Sequence, residues 1–326
     1  MALLSEKPFR ARQIFQWLGR GVVCFDEMTD LSSALREKLA ARFSLTVPRL
    51  LEKQVSALDG TIKYLWGFDC GASVETVLMT HFHGNTVCIS SQVGCRMGCS
   101  FCASTIGGLV RNLAPSEMLA QVLFTAKDSG KAISNIVLMG IGEPLDNFAN
   151  VMRFLELVNH PLGLHIGMRH ITISTCGLVE MIDKLGGHNL QLTLSVSLHA
   201  SDDETRSILV PANRKDGVSA LLAACKRYFD RTGRRVTFEY AMIDGLNDTK
   251  GQAKCLARQM KDVHGHVNLI PLNPVRERVL APSTKGNMDQ FANILRQGGV
   301  NVTIRRSLGG DIDASCGQLR RKREEA

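Results

Sequence analysis

Three cysteines, Cys95, Cys99 and Cys102, stand in Cys95-Arg96-Met97-Gly98-Cys99-Ser100-Phe101-Cys102 at i, i+4 and i+7. Helical pitch would put them on one face, but Gly94 and Gly98 argue against a helix, so the stretch reads as a loop wrapped around something. Thiolates this close repel one another unless a cation neutralises them, which makes a metal the natural occupant. A structural zinc asks for four protein ligands, usually from paired CxxC knuckles; no second knuckle exists, and His81, His83 or Cys88 would have to complete the set. A four-iron cluster on three cysteines instead leaves one iron open for a small molecule. Two further cysteines stand apart. Cys88 lies seven residues before Cys95, on the strand that feeds the loop, and Cys316 lies in the Gly- and Asp-rich turn 310–319, where a thiol can be exposed and activated. Cys24, Cys70, Cys225 and Cys255 read as small buried hydrophobes.

The elements that must position these thiols show in the hydrophobic pattern. Residues 1–48 read as a small helical unit, with Ile14, Trp17 and Leu18 on one helix and Leu31, Leu35 and Leu39 on the next, basic residues on the polar faces, and Pro48 as its end. It is either a plain cap or an accessory RNA-binding module. Residues 49–85 read as short connecting strands with turns at Asp59-Gly60 and Cys70-Gly71. From residue 86 to 326, strand-like runs (86–90, 135–139, 170–174, 192–197, 235–241, 267–271, 301–305) alternate with helical patterns (116–127, 147–158, 218–232, 249–260, 288–296), with Ser116 and Asn147 as N-caps. This alternation predicts a parallel α/β fold. Polar residues fall at the C-terminal ends of many strands, which favours a barrel over a doubly wound sheet.

With 39 Lys and Arg against 31 Asp and Glu, the chain carries a net charge of +8, which suits a polyanionic partner such as nucleic acid. Ten cysteines in a chain of 326 residues, with no secretory segment and no long apolar run, predict a reducing cytoplasm and no membrane. Met139-Gly140-Ile141-Gly142-Glu143-Pro144 follows a strand without completing a dinucleotide fingerprint, so it is either a tight turn or a Gly-relieved carboxylate poised to meet a ligand ammonium.

The spacing of Cys95, Cys99 and Cys102, with Phe101 before the last, resembles the signature of the radical S-adenosylmethionine (SAM) superfamily. That resemblance implies a partial (β/α)6 barrel, open on one side for a large substrate. More narrowly, Cys88-Ile-Ser-Ser-Gln-Val-Gly-Cys95, residues 140–144, Ser197-Leu-His-Ala, Asn268-Leu-Ile-Pro-Leu-Asn273 and Asp311-Ile-Asp-Ala-Ser-Cys-Gly-Gln-Leu319 together resemble the RlmN family of adenine-C2 methyltransferases acting on 23S ribosomal RNA and certain tRNAs. Two points depart from the family pattern: Ser315 replaces the usual alanine, and Cys176 is an extra thiol. The resemblance implies a [4Fe-4S] cluster on Cys95, Cys99 and Cys102. It implies SAM, two per turnover, held by Gly142, Glu143, Ser174, Ser197, Leu198, His199 and Asn273. It also implies that Cys316 carries the methyl group as S-methylcysteine, that a 5′-deoxyadenosyl radical activates that methyl, and that Cys88 releases the product by forming a disulfide with Cys316. Glu75 or Cys88 would accept the C2 proton. The partners implied are the RNAs and an external electron donor, acting on a monomer. The competing readings are a Cfr-like C8 methyltransferase, where alanine tends to replace Pro144, and a non-catalytic zinc-containing RNA-binding protein.

Overall fold

The computed structural model describes residues 1–69, 71–275, 277–306, 308–313 and 317–324; Cys70 and Cys316 lie outside the described residues. The chain opens with α1 (Phe9–Leu18) and α2 (Ser33–Arg42), the latter capped by Ser32, whose hydroxyl accepts the Leu35 N–H. Met28, Leu31, Leu35 and Leu39 pack with Ile14 and Trp17 in a small separate core. The Trp17 indole donates to Asp30 across that unit at 2.5 Å.

Strands β1 (Arg49–Val55), β2 (Ile62–Gly67), β3 (Ser73–His81) and β4 (Gly84–Cys88) follow as an antiparallel meander. A short hairpin, β5 (Gln92–Gly94) with β6 (Leu109–Asn112), then brackets the cysteine loop. The alternating part runs α3 (Pro115–Ser129), β7 (Ile133–Leu138), α4 (Phe148–Asn159), β8 (Ile171–Thr175), α5 (Val179–Gly187), β9 (Thr193–Ser197), α6 (Asp203–Leu209), α7 (Asn213–Thr232), β10 (Val236–Met242), α8 (Lys250–Gln259), β11 (Gly265–Pro271), α9 (Lys285–Gln297) and β12 (Val302–Ile304), and α10 (Gln318–Glu324) ends the described chain. In α7, Gly217 at φ +72° breaks the ladder, so the regular helix begins at Val218.

All strands except β5 and β6 form one ten-stranded sheet in the order β1-β2-β3-β4-β7-β8-β9-β10-β11-β12, parallel from β4 onward. The main core lies between its outer face and the helices, where Met118, Phe154, Leu185, Tyr228, Leu256 and Phe291 meet the strand residues Ile136, Ile173, Leu194, Phe238 and Leu269. Laid flat, β7 and β12 would stand five spacings, about 24 Å, apart. Yet residues just past both strands line one cavity of about 290 Å³, so the sheet is curled into an open barrel. Among the described residues no strand pairing joins β1 to β12.

Two expectations are corrected. Ser116 is not the cap of α3: Ala114 holds that position and Pro115 begins the helix, where its missing N–H costs nothing, while the Glu117 carboxylate accepts the Ala114 N–H at 2.8 Å. Cys24 is exposed rather than buried, because it sits in the connection after α1. Asn147 does precede α4, but its amide donates to the Ser91 and Leu113 carbonyls at 2.9 and 2.8 Å, tying that turn to the cysteine hairpin.

Candidate active site

The β5–β6 hairpin makes the cysteine loop a closed structure, with the Cys95 N–H donating to the Gly108 carbonyl at 3.0 Å. Gly94 and Gly98 both adopt positive φ (+77° and +72°), and a Cβ on Gly94 would lie 2.0 Å from the Gly108 oxygen. That backbone cannot continue as a helix. The Thr105 hydroxyl donates to the carbonyls of Cys99 and Cys102, and the Ser100 N–H donates to Leu209 at the end of α6. Beneath the loop, Cys99, Cys176, Leu209, Ala241, Ile243 and Leu272 form a second, small apolar cluster.

All three loop thiols line the cavity at the C-terminal rim of the barrel. Burial raises the Cys95 thiol to about 12 and the Cys99 thiol further still, with the neighbouring cysteines adding to the shift. Such groups ionise only when a metal supplies the compensating charge. Among the described residues no three His, Cys, Asp or Glu side chains converge tightly enough to hold a single metal ion. Thiols spread round one cavity fit a multi-iron cluster, in which each thiolate binds a different iron. His81 and His83 are exposed at the β3–β4 turn, a full strand length from Cys88.

Gly142, Glu143, Ser174, Ser197, His199 and Asn273 line the same cavity. The loop after β7 can reach it because Gly140 and Gly142 lack side chains: a Cβ on Gly140 would meet the Ile89 oxygen at 2.7 Å, and Gly142, at φ +106°, would meet the Gln92 Cβ at 2.5 Å. The Gln92 side chain accepts the Glu143 N–H at 2.8 Å. Glu143 is 3 % exposed; its Oε1 accepts the Leu145 N–H and its Oε2 the Cys176 N–H, at 3.0 and 2.8 Å. Burial pushes its pKa up, and no neighbouring cation among the described residues offsets that shift. A buried carboxylate on a cavity wall with no partner cation fits a ligand ammonium.

His199 is buried at φ +58°, a left-handed conformation rare for a side-chain-bearing residue. Its Nδ1 accepts the Ala241 N–H at 2.9 Å, and Phe101 meets its ring edge-on at 4.6 Å. Burial and the Arg206 charge push its pKa down to about 3, so the ring is neutral and Nε2 carries its one proton.

The remaining expected residues sit elsewhere. The Leu198 side chain is fully buried in the main core, so only its backbone stands at the rim. Cys88, at the buried end of β4, and Glu75, on β3, are not among the described residues lining the cavity. Glu75 faces Lys63 instead.

Two features escape sequence reasoning. Arg206, 1 % exposed, donates to the carbonyls of Cys176, Ser197 and Leu198 and to Asn213, binding the ends of β8 and β9 together. Glu239 accepts from Ser195 and Asn268 through Oε1, while its Oε2 has no hydrogen-bond partner among the described residues and lies 3.9 Å from Arg305. Neither sits in a motif; strand register brings Glu239 to the cavity, and α6 carries Arg206 to the ends of β8 and β9.

Residues 89–252 match the family model of the radical SAM superfamily, and residues 1–45 match that of the ribosomal RNA large subunit methyltransferase N-terminal domain. A protein of Desulforamulus reducens named "Probable dual-specificity RNA methyltransferase RlmN" is 52 % identical over 98 % of this chain and 92 % of its own. One of the same name from Clostridium perfringens is 50 % identical over 97 % and 92 %. The crystal structure of a radical SAM methyltransferase from Sphaerobacter thermophilus superposes with a TM-score of 0.91 at 46 % identity, covering 95 % of this chain and 92 % of that one. With three thiols, a buried carboxylate and a neutral histidine facing one cavity, and with this similarity along nearly its whole length, the chain belongs to the RlmN family of radical SAM RNA methyltransferases.

Proposed function

We propose that the protein methylates C2 of adenine in 23S ribosomal RNA and in some tRNAs. The observation that carries this reading is the convergence of Cys95, Cys99, Cys102 and the cation-free Glu143 on one cavity. Adenine C2 lies between two ring nitrogens and is too electron-poor to displace a methyl group from a sulfonium, so a radical route is required. A cluster and SAM held here would supply a transferable methyl group and the one-electron chemistry that activates it. In this reading Cys95, Cys99 and Cys102 hold the cluster. Glu143 takes the SAM ammonium, beside the backbone of Gly142. Ser174, Ser197, His199 and Asn273 contact the rest of SAM, Leu198 through its backbone only. Cys316 takes up the methyl group on sulfur and delivers its carbon to C2, and Cys88 attacks the Cys316 sulfur to free the product. The C2 proton leaves to Glu75 or Cys88. The helical unit at 1–48 forms an RNA-binding module, 49–85 connects it to the radical SAM core at 86–326, and an external donor supplies electrons to a cytoplasmic monomer. No helix among the described residues is long and apolar enough to cross a membrane.

The test is nucleoside mass spectrometry after anaerobic reconstitution and incubation with SAM, a reductant and a 23S ribosomal RNA fragment. The expected product is 2-methyladenosine. An 8-methyladenosine peak would establish the Cfr-like activity instead, and zinc in place of iron and sulfide would overturn both.

A further inference from the structure

We propose that Lys63 and Glu75 are positioning residues: their buried ion pair seats Gly317 and α10 on the sheet, and both oxygens of Glu75 serve that task. The proposal rests on the reading above for its consequence, since the seated segment follows Cys316 directly in the chain. Lys63 on β2 is wholly excluded from solvent and Glu75 on β3 is 3 % exposed, with Nζ and Oε2 2.7 Å apart. Charges withdrawn from water this completely persist only where each is held by several partners. The β2–β3 ladder does not need the pair, being hydrogen-bonded along its length from Ile62 and Leu78 to Gly67 and Ser73.

What the pair does reach is the far end of the chain. Oε2 of Glu75 also accepts the Gly317 N–H at 2.6 Å, and Oε1 accepts the Arg320 N–H at 2.7 Å. Arg320 is the third residue of α10, so the carboxylate satisfies one of the amide groups that a helix start leaves open. The opposite side of Gly317 presses on the turn after Cys102: at φ +82°, a Cβ there would lie 2.8 Å from the Ser104 nitrogen and 3.0 Å from the Ala103 carbonyl carbon. Gly317 is therefore gripped between Glu75 and the cluster loop. Upstream, Gly309, Asp311 and Asp313 bond to Asp59, to Ser56 and Ala57, and to Gln54. Both carboxylate oxygens of Glu75 therefore hold this segment in place.

The test compares Glu75→Gln, Lys63→Met and Gly317→Ala in the full-length, cluster-loaded protein. Gly317→Ala unseats the segment from the cluster side and leaves the Glu75 carboxylate intact. Amide hydrogen exchange over 317–324 is expected to accelerate about ten-fold or more in all three, with β7–β11 peptides unchanged. The rate of Cys316 methylation, read by peptide mass spectrometry, should fall alongside, with iron content and SAM affinity holding in Glu75→Gln and Lys63→Met. Wild-type exchange in Glu75→Gln and Lys63→Met would overturn the proposal. So would normal Cys316 methylation in Glu75→Gln with a covalent protein–RNA adduct accumulating, the signature of a missing proton acceptor. Exchange is read without RNA, so it stands or falls independently of the 2-methyladenosine assay.

Discussion

At Glu143 and His199 burial favours the uncharged form of the side chain, pushing the first pKa up and the second down. In the proposed role Glu143 gains a partner when an ammonium arrives, and a charge-assisted hydrogen bond of this kind contributes about 1.5–3 kcal/mol. Glu143→Gln should therefore weaken SAM binding about 10- to 100-fold without loss of iron, as read by equilibrium dialysis. The same desolvation keeps His199 neutral, its pKa pushed down where that of Glu143 is pushed up. Its folded pKa, about 3, lies below the unfolded value of 6.5, so between those limits the unfolded chain binds the extra proton. Its contribution to stability is complete above pH 6.5 and falls as the pH drops towards 3, by up to a few kcal/mol. Denaturant titrations at pH 7.5 and 4.5 should show a smaller pH loss in His199→Gln than in wild type; equal losses would mean that the ring is not buried neutral.

The loop after β7 is the element on which the cavity depends most sharply, because two glycines let it touch β4 and the cysteine hairpin. Gly142→Ala would press a methyl group into Gln92 at a φ unsuited to alanine. The expected destabilisation is about 2–4 kcal/mol, from overpacking plus backbone strain, visible as a lower denaturation midpoint together with weakened SAM binding. Strands were the legible elements: the runs at 193–197, 236–242 and 265–271 fall within about two residues of the apolar stretches that predict them. The cysteine loop was legible too, since Gly94 and Gly98 exclude a helix. By contrast, α5 and α6 span 9 and 7 residues, too short for a helical period to declare itself, and the three-residue β5 gives no alternation to count. Lys63 and Glu75 read as unrelated strand residues until the register sets Lys63 against Val77 and Leu65 against Glu75, which makes them diagonal neighbours. Arg206 carries no motif; its role appears only once β8, β9 and α6 meet.

At the scale of the whole molecule, the net charge of +8 and the match of residues 1–45 to a ribosomal RNA methyltransferase domain bear on RNA association. Each phosphate contact releases counterions, so raising salt from about 50 to 200 mM should weaken RNA binding at least about ten-fold by fluorescence anisotropy. Deleting the helical unit should flatten that dependence; an unchanged slope would place the contacts on the barrel alone. The segment tied to the first hairpin and to Glu75 also sets an order of events during synthesis. Gly309 meets Asp59, and Gly317 meets Glu75, across separations of 250 and 242 residues. At translation rates of about 5–20 residues per second, the seat is made roughly 12–50 seconds before the segment that fills it. The cysteine loop also precedes that segment, so both surfaces that grip Gly317 are synthesised well before Gly317 itself.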